Sequence, residues 1–539
     1  MTGVNRLDGG LIDRTKPMRF TFDGIGFTGF EGDTLASALL ANDVRLMGRS
    51  FKYHRPRGPM TSGSEEPNAL VALRSGARKE PNTRATTAEL FAGLSATSQN
   101  RWPSLRWDAM AVNDRLSQFF AAGFYYKTFM WPAAFWEKVY EPIIRRAAGL
   151  GTLSHEPDPD SYDKGFLHCD LLVIGTGPSG LMAALTAARA GADVIIADED
   201  FLPGGRLSAE THMIEGQSGA AWAAASVAEL QALPNVRVMT RSTVIGAFDH
   251  GIYGVVERVS DHLKEPFAGK PRQILWRVYS KRAILAAGAT ERPIVFENND
   301  RPGIMLASAV RAYVNRWAVT PARQVAIFTN NDDGHRTARD LAAKGVDVTA
   351  VIDTRLDAPT SADYQVIAGG VVVQTWGRLG LTQIEVRTPK GESLRIPCGA
   401  LGVSGGWNPN VHLTCHQGAR PVWNDTIAAF VPGNSLPPGL IPTGAADGAF
   451  STYEALSSGQ KAAHVALSDL GIPHKVSDLP EAEDAPVNIT PFWHVASAKR
   501  AWVDQQNDVT AKDVQLAHQE NFVSVEHLKR YTTLGMGPD

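Results

Sequence analysis

The sequence predicts an α/β fold in which two nucleotide-binding units of Rossmann type form most of the 539-residue chain. An apolar run at 171–174 leads into the glycine pattern G-x-G-x-x-G and an alanine-rich helix. A second stretch with strand, turn, helix and strand follows at 324–353. At 439–467 another strand ends in a glycine turn and a helix. This order predicts a first unit that is interrupted by a second and completed after it.

The glycine pattern predicts a site for a dinucleotide pyrophosphate. Gly175 permits a tight turn, Gly177 lets the backbone approach the phosphates, and Gly180 lets the helix pack closely on its strand. The helix over 181–189 directs its N-terminal amides and its dipole at the phosphates. We expect the amide or hydroxyl of Ser179 to lie close to them.

An acid in the expected place completes the pattern. Asp198 follows the apolar strand 193–197 and stands 23 residues after Gly175, where a carboxylate accepts the ribose hydroxyls. A carboxylate there disfavours a 2′-phosphate, so NAD or FAD fits better than NADP. The other expected contacts are Glu199 and Asp200 at the ribose, Gly205 and Arg206 at the phosphates, and backbone of Val244 at the adenine.

The arrangement resembles the two-dinucleotide-binding flavoproteins of the glutathione reductase and amine dehydrogenase groups, which also carry a glycine pair like that at 204–205. In those proteins the late strand ends in Gly-Asp, and the aspartate binds the ribityl chain of FAD. Here the dipeptide is Gly444-Ala445, which favours NAD over FAD.

The second nucleotide-binding unit is predicted to be a structural remnant. Thr329, Asn331 and Gly334 stand at its three glycine positions. Asp332 and Asp333 stand where a pyrophosphate needs bare amides, and two carboxylates there repel it.

The flanking regions resemble iron–sulfur modules without their cysteines. Residues 20–90 resemble a ferredoxin-like β-grasp domain, and the C-terminal segment resembles a small helical [2Fe–2S] module. At the cysteine positions stand Thr61, Glu66, Ala69 and Thr86 in the first, and Asp504, Gln506 and Asp539 in the second. The three cysteines of the chain are Cys169, Cys398 and Cys415, so we expect no iron–sulfur cluster.

These patterns divide the chain into five parts. The predicted parts are a ferredoxin-like domain at 1–95, an aromatic-rich helical linker at 96–165, an NAD-binding domain at 166–320 and 430–475, an inserted degenerate nucleotide-binding domain at 321–429, and a helical C-terminal segment at 476–539.

Composition excludes several classes of function. The net charge of −3 indicates no nucleic-acid or membrane partner. The apolar stretch 119–136 is interrupted by Lys127 and Pro132, and we interpret it as a buried helix or a partner interface. Few, scattered cysteines and no secretory signal predict a cytoplasmic protein.

Taken together, "GRSFKYHRPRG" (48–58), "EEPNALV" (65–71), the nucleotide fold and "SVEHLKRYTTLGM" (524–536) resemble the alpha subunits of bacterial heterotetrameric sarcosine oxidases. The resemblance implies NAD in this chain, FAD on the beta subunit, FMN at the alpha–beta interface, and gamma and delta partners. It implies oxidative demethylation of sarcosine to glycine, with 5,10-methylenetetrahydrofolate and hydrogen peroxide as further products. It places no catalytic residue and no metal ligand in this chain, and it places Ala445, Phe450 and Thr452 beside the nicotinamide.

Three points stay open at this level. Family chains continue into a folate-binding domain, so we expect tetrahydrofolate only on a part that is either truncated here or a separate polypeptide. Alternative functions are the alpha subunit of a related opine or proline dehydrogenase, or a non-catalytic scaffold. The basic loop with Lys52, Arg55 and Arg57 is either a solvated loop or an interface facing a flavin phosphate or an acidic partner surface.

Overall fold

A computed structural model describes residues 3–127, 130–147, 151–485, 487–497 and 499–537. The N-terminal unit is a five-stranded sheet with one helix, Leu35–Ala41, across it. Thr34 caps this helix in a capping box with Ser37, as the Asp33-Thr34 pair in the sequence predicts. In sheet order the strands are Ile25–Glu31, Asp13–Phe22, Ser95–Ser98, Leu70–Leu73 and Glu80–Arg84, and a separate hairpin joins Gly48–Arg49 to Pro56–Arg57.

The first nucleotide-binding unit is built on a seven-stranded sheet. Its parallel strands lead into the glycine loop and the acid, and an antiparallel meander extends the sheet on one side. In order the strands are Val236–Met239, Val194–Ala197, Tyr162–Ile174, Gln273–Leu285, Ile252–Arg258 and Ser242–Phe248, with Leu440–Pro442 pairing with Gln273–Leu285. The helices are Pro178–Arg189, Gly219–Ala232 and Thr452–Asp469.

The second nucleotide-binding unit is built on a five-stranded parallel sheet. Because its edge strand Ile304–Leu306 already belongs to this sheet, the unit begins before the expected boundary at 321. The two linking strands, Ala289–Glu291 and Trp407–Pro409, pair with each other. After Ile304–Leu306, the strands of the parallel sheet are, in order, Ala400–Ser404, Gln324–Thr329, Asp347–Asp353 and Val366–Ala368. The helices of this unit include Ala307–Asn315 and Asp332–Ala343. A separate antiparallel sheet contains Val371–Trp376, Gln383–Arg387 and Ser393–Pro397.

The aromatic-rich linker forms short turns of helix on the surface. Trp131 is 84% exposed, and Phe119, Met130 and Phe135 are exposed as well. The interpretation of 119–136 as one buried helix is therefore wrong, although Ala122 and Phe124 are buried, and the alternative of a partner interface stays a prediction; residues 128 and 129 lie outside the described residues. The turns are Ala109–Asp114, Ser117–Phe120, Phe124–Lys127, Ala133–Phe135, Trp136–Tyr140 and Glu141–Ala147. Among the described residues, no helix has the length and apolar character that a membrane span requires.

The C-terminal segment pairs with earlier parts of the chain. Bridges at Ile489 and His494 tie it to the second nucleotide-binding unit before it forms a small module of its own. That module contains the strands Trp502–Asp504 and Val509–Thr510 and the helices Ala511–Gln519 and Val525–Thr532. One apolar core runs from Phe20 and Leu39 of the N-terminal unit to Val310 and Trp317 of the second nucleotide-binding unit. These two units therefore pack as one body.

Candidate functional site

The glycine loop has the geometry that a pyrophosphate requires. Gly175 has φ +103°, and a side chain on Gly180 would lie 2.0 Å from the Gly175 carbonyl oxygen. Gly177 is the N-cap of the helix Pro178–Arg189, and a Cβ built on it meets no atom within 4 Å. The first amides of that helix therefore face open space that an anion can occupy.

The late helix closes the same loop from the other side. Gly459 lets it approach so closely that a Cβ there would lie 2.2 Å from the Ser179 carbonyl oxygen. Gly444 has φ +63°, and its amide donates to Ser458 Oγ at 2.7 Å. Ala445 follows in the turn Gly444–Asp447 and offers only a methyl group.

Asp198 lies at the end of its strand, as predicted, but it also has internal partners. Its Oδ2 accepts hydrogen bonds from the amide and the hydroxyl of Thr176, at 2.6 and 2.5 Å. Its Oδ1 accepts from the Asp200 amide at 2.8 Å. Burial raises the pKa of Asp198 to about 6, against the lowering effect of these hydrogen bonds. The two hydrogen bonds from Thr176 use both lone pairs of Oδ2, whereas Oδ1 keeps one lone pair for a ribose hydroxyl.

Three predicted contacts are already engaged within the protein. Glu199 accepts from Ser64 of the N-terminal unit. Asp200 forms a bidentate ion pair with Arg316 of the second nucleotide-binding unit. Arg206 pairs with Glu210 and donates to the Phe450 carbonyl oxygen at 3.0 Å. Glu199 and Asp200 therefore join the first nucleotide-binding unit to other units of the protein, whereas Arg206 is held within its own unit.

The remaining predicted contacts lie along the rim of the site. Gly205 lies beside Gly177, since its Cβ would be 3.0 Å from the Gly177 Cα. Val244 pairs with Val255 in the meander. Thr452 begins the late helix, and its hydroxyl lies 2.9 Å from Nδ1 of His212.

A buried ionic cluster beneath Arg206 was not predicted. Arg311 Nε donates to Asp340 at 2.5 Å, and Arg311 Nη1 lies 3.5 Å from Glu210 and 3.6 Å from Asp333. Burial alone would raise the pKa of Glu210, but the charges of Arg206 and Arg311 outweigh it and lower the pKa to about 2. The cluster spans both nucleotide-binding units and fixes their relative orientation.

Glu291 lies at the link between the same two units and keeps a neutral carboxyl group. Burial, reinforced by the charge of Asp333, raises the pKa of Glu291 to about 8. Its Oε2 accepts from the Ser308 amide at 2.8 Å.

In the second nucleotide-binding unit, side chains and backbone of the protein occupy the place of the glycine loop. Asn331 caps the helix Asp332–Ala343, and its side chain accepts from the Asp333 amide. Asp332 is bound by Arg355 and by the amide of Asn488. The helix end that would hold a phosphate is thus occupied by carboxylate, carboxamide and backbone groups, in keeping with a structural remnant.

A carboxylate occupies the loop of the N-terminal unit that resembles the cysteine-bearing loop of an iron–sulfur module. Fully buried Glu66 accepts from the amides of Met60 and Thr61 at 2.9 and 2.7 Å, and from the amides of Asn68 and Ala69 at 2.8 and 2.9 Å. The Thr61 hydroxyl adds a fifth hydrogen bond at 3.1 Å. The loop is therefore organised around one side chain.

The basic loop at 48–58 is internal. Arg55 forms a bidentate pair with Asp300, and Arg57 pairs with Asp300 and with Asp508 of the C-terminal segment. The Lys52 amide also donates to Asp508, at 2.8 Å. Arg57 is fully buried between these carboxylates, so the expectation that it lies in a solvated loop or faces a partner is wrong. Arg55 is mostly buried as well, which excludes a solvated loop, but it also borders an open cavity, and its part in an interface stays a prediction.

Fold and glycine site together define a dinucleotide-binding α/β protein of the oxidoreductase class, and residues 170–246 match the family of FAD dependent oxidoreductases. Residues 498–539 match the sarcosine oxidase A3 domain. The chain is 50% identical over 98% of its length to sarcosine oxidase subunit alpha of Rhizobium meliloti (strain 1021), and 37% identical over 98% to that of Corynebacterium sp. (strain P-1). The chain belongs to the family of sarcosine oxidase alpha subunits.

The extent of these similarities differs between the relatives. The chain covers 54% and 52% of the two curated relatives, so it spans about half of their length. Among solved structures, L-proline dehydrogenase from P. horikoshii is similar in fold, with a TM-score of 0.66 and 19% identity over 99% of this chain and 91% of that one.

One expectation about cofactors is contradicted. Residues 15–101 match the 2Fe-2S iron-sulfur cluster binding domain, so the expectation of no iron–sulfur cluster conflicts with the class of this domain. The side chains present do not fit a cluster held by thiolates, because residues 15–101 contain no cysteine and Glu66 occupies the loop.

Proposed function

We propose that this chain binds NAD at the loop 175–180 as a structural ligand, within a complex that oxidises sarcosine. The observation that carries the proposal is the open, positively polarised helix end at Gly177, with Asp198 placed for the ribose. Ala445 supplies no carboxylate for a ribityl chain, which supports NAD over FAD.

The activity is proposed from the relatives, because the chain covers about half of their length. We propose oxidative demethylation of sarcosine to glycine, with hydrogen peroxide and 5,10-methylenetetrahydrofolate as products. FAD on a beta subunit and FMN at the alpha–beta interface would carry out the redox chemistry, and gamma and delta subunits would complete the complex. The relatives at 50% and 37% identity favour this activity over that of an opine or proline dehydrogenase.

The residues of this chain hold the nucleotide in place. The loop amides bind the phosphates, Asp198 accepts a hydrogen bond from one ribose hydroxyl through Oδ1, and the turn with Phe450 and Thr452 covers the nicotinamide. NAD supplies hydride chemistry where its ring is exposed to a reaction partner. We propose that this turn keeps the ring covered, so that binding stabilises the folded chain.

Gly177→Ala tests the site. Gly177 has φ −64°, so alanine is allowed, and its methyl group enters the open space that the phosphates require. We expect the variant to fold normally but to release no nucleotide on acid extraction, whereas wild type releases NAD. Gly26→Ala is the matched control, because a Cβ there also meets no atom within 4 Å and lies in the N-terminal unit. FAD in the wild-type extract, or NAD retained by Gly177→Ala, would refute the proposal.

A further inference from the structure

A second cavity lies where three parts of the molecule meet. It has a volume of about 570 Å³ and is walled by the hairpin with Arg49 and Arg55, the turn Ala109–Asp114, and residues 300–302 and 377–378 of the second nucleotide-binding unit. Volumes of this size hold nucleotide-sized ligands.

Four arginines line this cavity, Arg49, Arg55, Arg301 and Arg378, against two carboxylates. Both carboxylates are already shared. Asp300 is bound by Arg55 and by Arg57, and Asp114 by Arg55 and by Arg500. These two carboxylates therefore form their ion pairs with Arg55, Arg57 and Arg500 and not with the other three arginines of the wall. The cavity wall also contains His54, whose Nδ1 lies 2.7 Å from Oδ2 of Asp108.

Three guanidinium groups have only neutral partners. Arg49 donates to the Leu105 and His54 carbonyl oxygens, and Arg301 to the Thr375 hydroxyl and the Gly377 carbonyl oxygen. Arg378 lies over the Trp107 ring, 5.1 Å from its centroid. Among the described residues, no carboxylate lies within ion-pair distance of these three groups. Burial lowers the pKa of Arg49; the charge of Asp108 opposes this effect, and the charge of Arg378 adds to it, so the two cations repel each other.

We propose that this cavity binds a small molecule that carries phosphate groups. Converging guanidinium groups present planar pairs of N–H donors that match phosphate oxygens. A bound phosphate also removes the repulsion between the arginines, in a chain whose net charge is −3. The concave shape favours a compact ligand over a flat protein surface. This site is separate from the glycine loop and does not depend on the nucleotide proposed there.

Inorganic pyrophosphate is the probe, titrated calorimetrically into the full chain carrying Gly177→Ala at constant ionic strength. That background removes pyrophosphate binding at the glycine loop, so only the cavity is measured. We expect one saturable site per chain. Arg378→Gln should weaken it about tenfold, by loss of one charge-assisted contact, and Arg378→Glu should abolish it.

Arg395→Gln and Arg395→Glu are the matched controls. Arg395 is likewise exposed and lies 5.1 Å over a tryptophan ring, that of Trp376, outside the cavity. Unchanged affinity in these controls supports the site. Absence of saturable binding, or equal loss in the Arg378 and Arg395 variants, overturns the proposal, as does association with an acidic protein segment without pyrophosphate binding.

Discussion

Replacing Glu66 by glutamine should destabilise the N-terminal unit while preserving the shape of the side chain. Each carboxylate oxygen of Glu66 accepts at least two hydrogen bonds from buried backbone amides. An amide group retains one acceptor oxygen and turns its NH₂ towards the other pair of N–H groups. Whichever way the amide is oriented, at least two buried donors lose their acceptor.

The magnitude follows from that count. A buried donor left without a partner costs about 1–3 kcal/mol, so two cost about 2–6 kcal/mol. This is a large share of the stability of a typical domain, which is about 5–15 kcal/mol. Because the N-terminal core continues into the second nucleotide-binding unit, we expect both to unfold earlier.

Hydrogen exchange and urea unfolding measure the effect directly. In Glu66→Gln, peptides covering Met60, Thr61, Asn68 and Ala69 should exchange faster, and the first urea transition should shift to lower concentration. Glu31→Gln is the control, since it makes the same chemical change at an exposed position of the N-terminal unit. Protection and stability in Glu66→Gln equal to those of Glu31→Gln would refute the reasoning.

Three further predictions follow from buried carboxyl groups. Glu291 keeps its proton in the folded chain up to a pKa of about 8, above its ordinary value of 4.5, so it should make stability fall as pH rises between these values. Glu291→Gln should therefore melt at a higher temperature than wild type at pH 8 but not at pH 4.5, and an equal difference at both would contradict this. Asp300→Asn, which leaves Arg55 and Arg57 buried without their shared charge, should cost about 3–5 kcal/mol in urea unfolding, and an unchanged midpoint would exclude that role. NAD affinity should fall as pH drops through the Asp198 pKa of about 6, because protonation removes an acceptor for the ribose; constant affinity in calorimetry from pH 7 to 5 would count against the assignment.

The sequence by itself determined the elements whose signals are local. The glycine triplet, its flanking strand and helix, and the acid at the end of the next strand were all placed correctly. The helix start at Thr34 was also predictable, since a capping residue binds backbone within three positions of itself. Each of these features is decided by neighbours along the chain.

Only the tertiary structure decided the partners of the charged side chains. In sequence, Arg55 and Arg57 fit either a solvated loop or a partner interface, yet their shared carboxylate, Asp300, lies more than 240 positions away. Asp200 was expected at the nucleotide but pairs with Arg316, 116 positions away. A charge in the interior requires a counter-charge, and folding brings that counter-charge from anywhere in the chain. Local patterns therefore fix the backbone of the nucleotide loop, whereas the electrostatic environment around it depends on contacts between distant units.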